Sequence, residues 1–209
     1  MAEKPTITPR ENGPLLVKNL QHLVLPGGQA AETKQVLALC RCGQSSNKPF
    51  CDGSHNDAGF DGSSPSAPPD GRDFAYEGGG VTVTFNKHLC SHAAECGKRL
   101  PAVFDVSQKP WVQPDKGTAE QIAAVVAACP SGALRMSTDG GDTQHKVGEA
   151  ARITVDTDGP YRVENVALDD AAFADGQSKA KFVLCRCGHS KNKPFCDGSH
   201  GSAGWTSDD

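Results

Sequence analysis

Short apolar runs separated by glycine, proline and polar residues dominate the hydrophobic pattern of this chain. Leu15–Val17, Leu23–Leu25 and Val36–Leu39 are bounded in this way, which is typical of short strands. Val81–Phe85 alternates apolar and polar residues, as a half-buried strand does. The pattern therefore predicts a chain of small, β-rich units.

One helix is predicted near the middle of the chain. Thr118 and Gln121 are spaced as a capping box, which marks a helix start. Apolar side chains on one helical face follow at Ile122, Val125, Val126 and Cys129. Pro130 then ends the helix.

The outer parts of the chain repeat one another. The sequence GPLLV at 13–17 is echoed by GPYRV at 159–163, and AGF at 58–60 is echoed by AGW at 203–205. Such self-similarity indicates a duplicated domain.

Two segments have the composition of linkers, DGSSPSAPPDG at 61–71 and STDGGDTQHKVGEA at 137–150. They divide the chain into three predicted domains, at 1–62, 72–136 and 151–209.

The repeat is strongest at residues 40–55, CRCGQSSNKPFCDGSH, and 185–200, CRCGHSKNKPFCDGSH, where fourteen of sixteen positions are identical. Each copy carries three cysteines and one histidine in the spacing C-x-C-x8-C-x3-H. Soft ligands in a fixed spacing indicate a metal or iron–sulfur site. The candidate ligands are Cys40, Cys42, Cys51 and His55, and Cys185, Cys187, Cys196 and His200.

The spacing within each copy suits a [2Fe–2S] cluster held at both ends. Cys40 and Cys42 lie two apart on an extended segment and so share a face. Cys51 and His55 lie four apart and would meet on one helical turn. Ser45 is placed to donate a hydrogen bond toward a bridging sulfide. Three cysteines and a histidine also suit zinc, so spacing alone leaves both metals open.

The residues between the ligands identify the motif. C-x-C-x2-S-x3-P-x-C-D-G-S-H resembles the CDGSH iron–sulfur family at every defining position, in both copies. The resemblance implies one [2Fe–2S] cluster per copy, bound by three cysteines and one histidine in a small β-rich fold with a short cluster-binding helix. The chain resembles the tandem branch, which implies a monomer whose two motif domains pair about a pseudo-twofold axis.

The middle segment carries a third set of cysteines. Cys90 and Cys96 are followed, 33 residues later, by Cys129 and a proline. This order resembles divergent single-cluster ferredoxins and implies a ferredoxin-like α+β domain, so the fold class expected for the whole chain is α+β. Ala93 stands where a [4Fe–4S] ferredoxin has a cysteine. Three thiolates would hold [3Fe–4S], His92 as a fourth ligand would allow [4Fe–4S], and an empty site is the remaining alternative.

Composition excludes several classes of function. The net charge is −4 and no run of Lys or Arg exceeds two residues, which argues against nucleic-acid binding. No apolar stretch approaches about 18 residues, so no membrane span is expected. The N-terminus lacks an apolar signal core, which favours the cytoplasm. An odd number of cysteines, nine, argues against a disulfide framework.

The sequence favours two functions. The first is electron transfer or redox sensing with redox protein partners, and the second is delivery of clusters to apo-acceptor proteins. A structural zinc module ranks behind both. No nucleotide-binding loop or hydrolase motif is present, so we do not expect an enzyme. Because protonation of the histidine ligand weakens its bond to the metal, acid should release the clusters, below about pH 6–7.

Overall fold

The computed structural model describes residues 3–63 and 72–207. Within these ranges the chain forms short strands and three short α-helices, so the α+β class predicted from the sequence is confirmed. The strands are β1 (Thr6–Pro9), β2 (Leu15–Lys18), β3 (Leu23–Val24), β4 (Ala30–Ala31), β5 (Val36–Leu39), β6 (Asp73–Gly78), β7 (Val81–Asn86), β8 (Leu134–Thr138), β9 (Arg152–Val155), β10 (Tyr161–Glu164), β11 (Ala167–Leu168) and β12 (Lys181–Leu184). The helices are α1 (Glu95–Arg99), α2 (Ala119–Ala128) and α3 (Ser199–Ser202).

Strands β1–β5 belong to the first repeat domain and β9–β12 to the second, and the two domains exchange strands. The order in one sheet is β11-β1-β2-β5 and in the other β12-β10-β9-β3-β4. Strand β11 of the second domain pairs parallel with β1 of the first, and β3 of the first pairs parallel with β9 of the second. The exchange is reciprocal, so the two domains pair with pseudo-twofold symmetry, as the resemblance implied.

The two repeat domains share one hydrophobic core. Leu15 and Val17 of β2 alternate with outward-facing residues, and Tyr161 and Val163 of β10 do the same. Their inward side chains form a single buried cluster with Ile7, Ile153 and Phe182, among others. The pairing therefore depends on buried apolar surface, which is the main stabilising term in folding.

The middle domain has its own core under the antiparallel sheet β6-β7-β8. Helix α2 begins at the predicted capping box, with both hydrogen bonds between Thr118 and Gln121 present. Ile122, Val125 and Val126 are buried, and the helix ends at Ala128, before Pro130. The helix and three of its four predicted face residues are thus confirmed, while Cys129 is buried just beyond the helix, at its C-cap.

The structure describes the two predicted linkers to different extents. Residues 64–71 of the first linker lie outside the described residues. The second linker is partly folded, because β8 extends to Thr138 and Gln144 exchanges backbone hydrogen bonds with Met136. None of the helices in the described part of the chain has the length and apolar character that crossing a bilayer requires.

Candidate metal centres

Each motif brings its four predicted ligands together as two close pairs. In the first copy the Sγ atoms of Cys40 and Cys42 are 3.6 Å apart, and Cys51 Sγ lies 3.4 Å from Nδ1 of His55. In the second copy the corresponding distances are 3.8 Å, between Cys185 and Cys187, and 3.5 Å, between Cys196 and His200. In each copy the fold therefore brings the predicted ligands together two by two, as the spacing predicted.

The reason for the second pair differs from the predicted one. Helix α3 begins at Ser199, three residues after Cys196, and residues 54–59 of the first copy form turns. The cysteine therefore lies outside any helix, and the expectation of a shared helical face was wrong.

An aspartate side chain shapes this turn instead. Asp52 Oδ1 accepts hydrogen bonds from the backbone N–H and hydroxyl of Ser54, and Oδ2 accepts from the backbone N–H of Ser46. These bonds hold the pKa of Asp52 below its usual range. Asp197 makes the same backbone contacts, with Ser199 and Lys191. The carboxylate ties the histidine turn to the loop between the ligand pairs.

Ser45 was expected to donate toward a bridging sulfide, and this is also wrong. Its hydroxyl donates to the carbonyl of Phe50 at 2.7 Å and accepts the backbone N–H of Asn47. Ser190 donates in the same way to Phe195 at 2.6 Å. The hydroxyl therefore folds the loop around the site rather than facing the sulfur atoms.

Two glycines allow the copies to meet at the pseudo-twofold axis, where Cys42 and Cys187 form a β-bridge. Gly43 and Gly188 have φ of 79° and 84°, the left-handed region that favours glycine. A Cβ at Gly43 would lie 2.5 Å from the carbonyl oxygen of Cys187, and one at Gly188 would lie 2.6 Å from that of Cys42. The backbones therefore approach too closely for any side chain there.

Tyr161 is a site residue that sequence reasoning missed. Its ring is fully buried, and its hydroxyl lies 2.7 Å from the carbonyl oxygen of Cys40 and 3.0 Å from that of Pro49. The second repeat domain thus holds the ligand loop of the first. Leu15 stands at the corresponding position of β2. This difference between the copies is the sequence feature that could have pointed to Tyr161.

Arg41, between the first two ligands, was also missed. It is 3 % exposed and donates to the carbonyls of Gly13 and Gly62. Burial lowers its pKa, while the charge of Cys185 opposes that change. The nearby cation would favour thiolate in the opposite copy.

The sulfur atoms differ in how readily they ionise. The pKa of Cys40 is lowered, chiefly by the hydrogen bond with Cys42 and despite burial, with backbone bonds from Ser45 and Gly43 adding to the effect. The pKa of Cys185 is lowered for the same reason, by the hydrogen bond with Cys187. Burial raises the pKa of Cys196 to about 12. Metal binding must therefore displace protons from part of the ligand set.

In each copy the four candidate ligands lie as two separate pairs. Among the described residues, no three His, Cys, Asp or Glu side chains surround a single point closely enough to hold one ion. A structural zinc ion needs all four ligands at one point, whereas each iron of a [2Fe–2S] cluster needs only two protein ligands. The donor set therefore fits a two-iron cluster.

The middle domain brings its three cysteines to one cavity. Cys90, Cys96 and Cys129 line a space of about 550 Å³, together with His92 and Trp111. Burial raises the pKa of Cys90 to about 11 and raises that of Cys96 as well. Three thiols around one cavity fit a cluster that takes one ligand per iron.

Comparison with known proteins agrees with this geometry. A family model described as "Iron-binding zinc finger CDGSH type" matches residues 12–56 and 158–201. A second model, "Divergent 4Fe-4S mono-cluster", matches residues 76–139. The chain is also 35% identical over 66 residues to the uncharacterized protein YjdI of Escherichia coli (strain K12), which covers 32% of this chain and 87% of that protein, and equally to YjdI of Escherichia coli O157:H7. The chain therefore belongs to the CDGSH-type iron–sulfur proteins, with two CDGSH domains on either side of a divergent 4Fe–4S mono-cluster domain.

Proposed function

We propose that this iron–sulfur protein is not an enzyme and acts in electron transfer or redox sensing, with two [2Fe–2S] clusters and a third cluster in the middle cavity. The observation that carries the proposal is the doubled two-plus-two geometry, with every pair of donor atoms 3.4–3.8 Å apart. When bound, such clusters take up and release single electrons. The proposed [2Fe–2S] ligands are Cys40, Cys42, Cys51 and His55, and Cys185, Cys187, Cys196 and His200.

The histidine ligands set the character of the two-iron sites. His55 and His200 face the neighbouring sulfur with Nδ1, which leaves Nε2 to carry the proton. An imidazole in place of a thiolate lowers the negative charge at the site, so the reduction potential rises above about −400 mV, the plant-type ferredoxin value. Redox titration followed by visible absorption measures that potential, and a value at or below the plant-type range would contradict the assignment.

For the middle site we propose a [4Fe–4S] cluster bound by Cys90, Cys96 and Cys129, with His92 as the fourth ligand. His92 lines the same cavity as the three thiols, and the matching family is described by a four-iron cluster. The competing [3Fe–4S] form would need only the cysteines. A three-iron cluster is paramagnetic when oxidised, whereas this four-iron type becomes paramagnetic on reduction, so electron paramagnetic resonance (EPR) separates the two.

Iron and acid-labile sulfide per chain test the whole assignment. Two [2Fe–2S] clusters alone give about 4 iron atoms, a three-iron centre brings the total to about 7 and a four-iron centre to about 8. A colourless protein that contains zinc and no sulfide would refute the proposal.

A second candidate function is the delivery of clusters to apo-acceptor proteins. The Cys51–His55 pair favours it, because both side chains are partly exposed to solvent and a ligand pair at the surface is open to exchange. Rapid transfer to an apo-ferredoxin would support this role, whereas reversible reduction without cluster loss supports electron transfer. We propose that the chain acts as a monomer, which sedimentation analysis can test.

A further inference from the structure

The two CDGSH sites have matching ligand loops but different surroundings, and Gly53 and Gly198 show the difference. Both have left-handed φ, 96° and 87°. A Cβ at Gly53 would meet no atom within 4 Å, whereas one at Gly198 would lie 2.8 Å from Cδ2 of His92 and 3.1 Å from the carbonyl oxygen of Ser91. The middle domain therefore covers the second site and leaves the first one open.

One ligand of the four follows the same division, while His55 and His200 are both partly exposed. Cys196 is 4 % exposed and buried, while its counterpart Cys51 is partly exposed. Asp197 is partly covered, while Asp52 is exposed. The motif sequences around these residues are identical, so the added cover comes from the neighbouring domain and not from the loop itself.

An ion-pair network fastens the covering segment in place. Nη2 of Arg162 lies 3.7 Å from Glu95 of α1, and its Nε donates to Asp156 at 2.7 Å. In the first copy Leu16 and Arg10 occupy the positions of Arg162 and Asp156, as the matching backbone bonds to Pro14 and Pro160 show. The network is therefore specific to the copy that the middle domain covers.

Lys181 makes a second contact with the middle domain. Its side chain is 2 % exposed, and its three N–H groups face four backbone carbonyl oxygens that all lie within hydrogen-bond distance of Nζ. The acceptors are Val126 at 2.8 Å, Ala127 at 3.2 Å, His145 at 2.8 Å and Lys146 at 3.0 Å. Two of them lie in the last turn of α2, where carbonyls lack helical partners and a cation is favoured. Val36, at the corresponding position of β5, is 48 % exposed.

We infer that the middle domain locks the second CDGSH site, and that the first site is the one from which a cluster is released to an acceptor protein. The inference rests on the proposed function, since it requires a [2Fe–2S] cluster at each site, and specifically on the second candidate, the delivery of clusters to acceptor proteins. Opening the second site requires the middle domain to separate from Gly198, with loss of contacts that the first site never makes. No redox step is involved, because the cluster leaves by exchange of its ligands.

The test is cluster release from the intact protein to excess EDTA at neutral pH, followed by visible circular dichroism. We expect two phases, the slower by about tenfold or more, the factor that corresponds to about 1.4 kcal/mol. Cys51→Ala should remove the fast phase and Cys196→Ala the slow one. A single rate, or a fast phase that survives Cys51→Ala, would overturn the inference.

A matched pair of glycine variants isolates the contact. Gly198→Ala and Gly53→Ala introduce the same left-handed strain, but only the first also pushes against His92 and Ser91. Gly53→Ala should accelerate the fast phase only by the factor that the shared strain causes, whereas Gly198→Ala should accelerate the slow phase by a larger factor and bring it close to the fast one. If the two variants accelerate their own phases by equal factors, cover by the middle domain is not the cause.

A second variant pair guards against failure of Gly198→Ala to fold. Lys181→Met removes the buried ammonium but keeps the aliphatic chain, and Lys179→Met changes an exposed lysine two residues away. Only Lys181→Met should accelerate the slow phase, and an unchanged slow phase would count against the lock. Iron and sulfide counts separate this failure from failure of the proposed function, because two equal rates from two intact clusters would refute only the lock.

Discussion

Removal of one buried oxygen, by Tyr161→Phe, should weaken the first CDGSH site and spare the second. The hydroxyl of Tyr161 lies 2.7 Å from the carbonyl oxygen of Cys40 and 3.0 Å from that of Pro49. The Pro49 carbonyl also accepts the backbone N–H of Cys40 at 2.8 Å, so it keeps a partner in the variant. The carbonyl of Cys40, whose own side chain is the first ligand, loses the hydrogen bond from Tyr161.

The magnitude follows from the environment of this bond. The ring is fully buried and phenylalanine preserves its shape, so packing should change little. The loss is then that of a buried hydrogen bond whose acceptor remains in place, about 1–3 kcal/mol. Since that cost applies to the folded ligand loop, cluster release from the first site should accelerate about 5- to 150-fold.

The assay measures release to EDTA in the Cys196→Ala background, where only the first two-iron cluster remains, and in the Cys51→Ala background, where only the second remains. Tyr161→Phe should act in the first background alone, because Leu15 at the corresponding position cannot donate a hydrogen bond. Tyr76→Phe, which changes the other tyrosine of the chain, is the control. Equal acceleration in both backgrounds, or a change below about twofold, less than the smallest hydrogen-bond contribution implies, would refute the reasoning.

Three further predictions concern packing, pH and metal. Gly188→Ala would place a Cβ 2.6 Å from the carbonyl oxygen of Cys42 at a φ of 84°. The clash adds to a left-handed strain of about 1–2 kcal/mol, so the variant should lower the yield of coloured protein by more than that strain alone explains. Gly201→Ala, with open space around it, should leave the yield unchanged. Burial, with the charges of Arg135 and Lys181, holds the pKa of His145 at about 4. Between about pH 6.5 and pH 4 the unfolded chain therefore binds a proton at this histidine and the folded chain does not. The free energy of unfolding should fall as the pH falls through this range, by at most about 3 kcal/mol before solvent screening reduces it. Urea unfolding at pH 7 and pH 5, followed by tryptophan fluorescence, checks this loss, and an equal loss in His145→Gln would disprove it. Removal of iron and sulfide should unfold the ligand loops, because small domains depend on their metals, and far-ultraviolet circular dichroism that stays unchanged would contradict this expectation.

Local spacing explains why so much of the site could be predicted from the sequence. The ligands Cys40 and Cys42 are two residues apart, so the conformation of one short segment determines whether their side chains meet. The same holds for the capping box at Thr118, whose partner is three residues away. Such features depend on neighbours in sequence, which a single sequence contains in full.

Features that depend on distant segments were beyond this reasoning. Tyr161 and Cys40 are 121 residues apart, and Lys181 meets the last turn of α2 across 55 residues. A lysine in a strand is ordinarily solvated, so nothing local distinguished Lys181 from Lys179. The helical explanation for Cys51 and His55 failed for a related reason, since a spacing of four fits both a helix and a turn tied by Asp52.

Comparison of the two copies could nevertheless have located the domain contact. The copies agree at the ligand loops, where chemistry restricts the sequence, and differ in strands that otherwise form the same pairs. Lys181 replaces the exposed Val36, and Arg162 replaces Leu16. Both replacements put a cation where the second copy meets the middle domain. In a duplicated chain, a charge that one copy has gained at a position where the other is apolar thus indicates a surface that has acquired a partner.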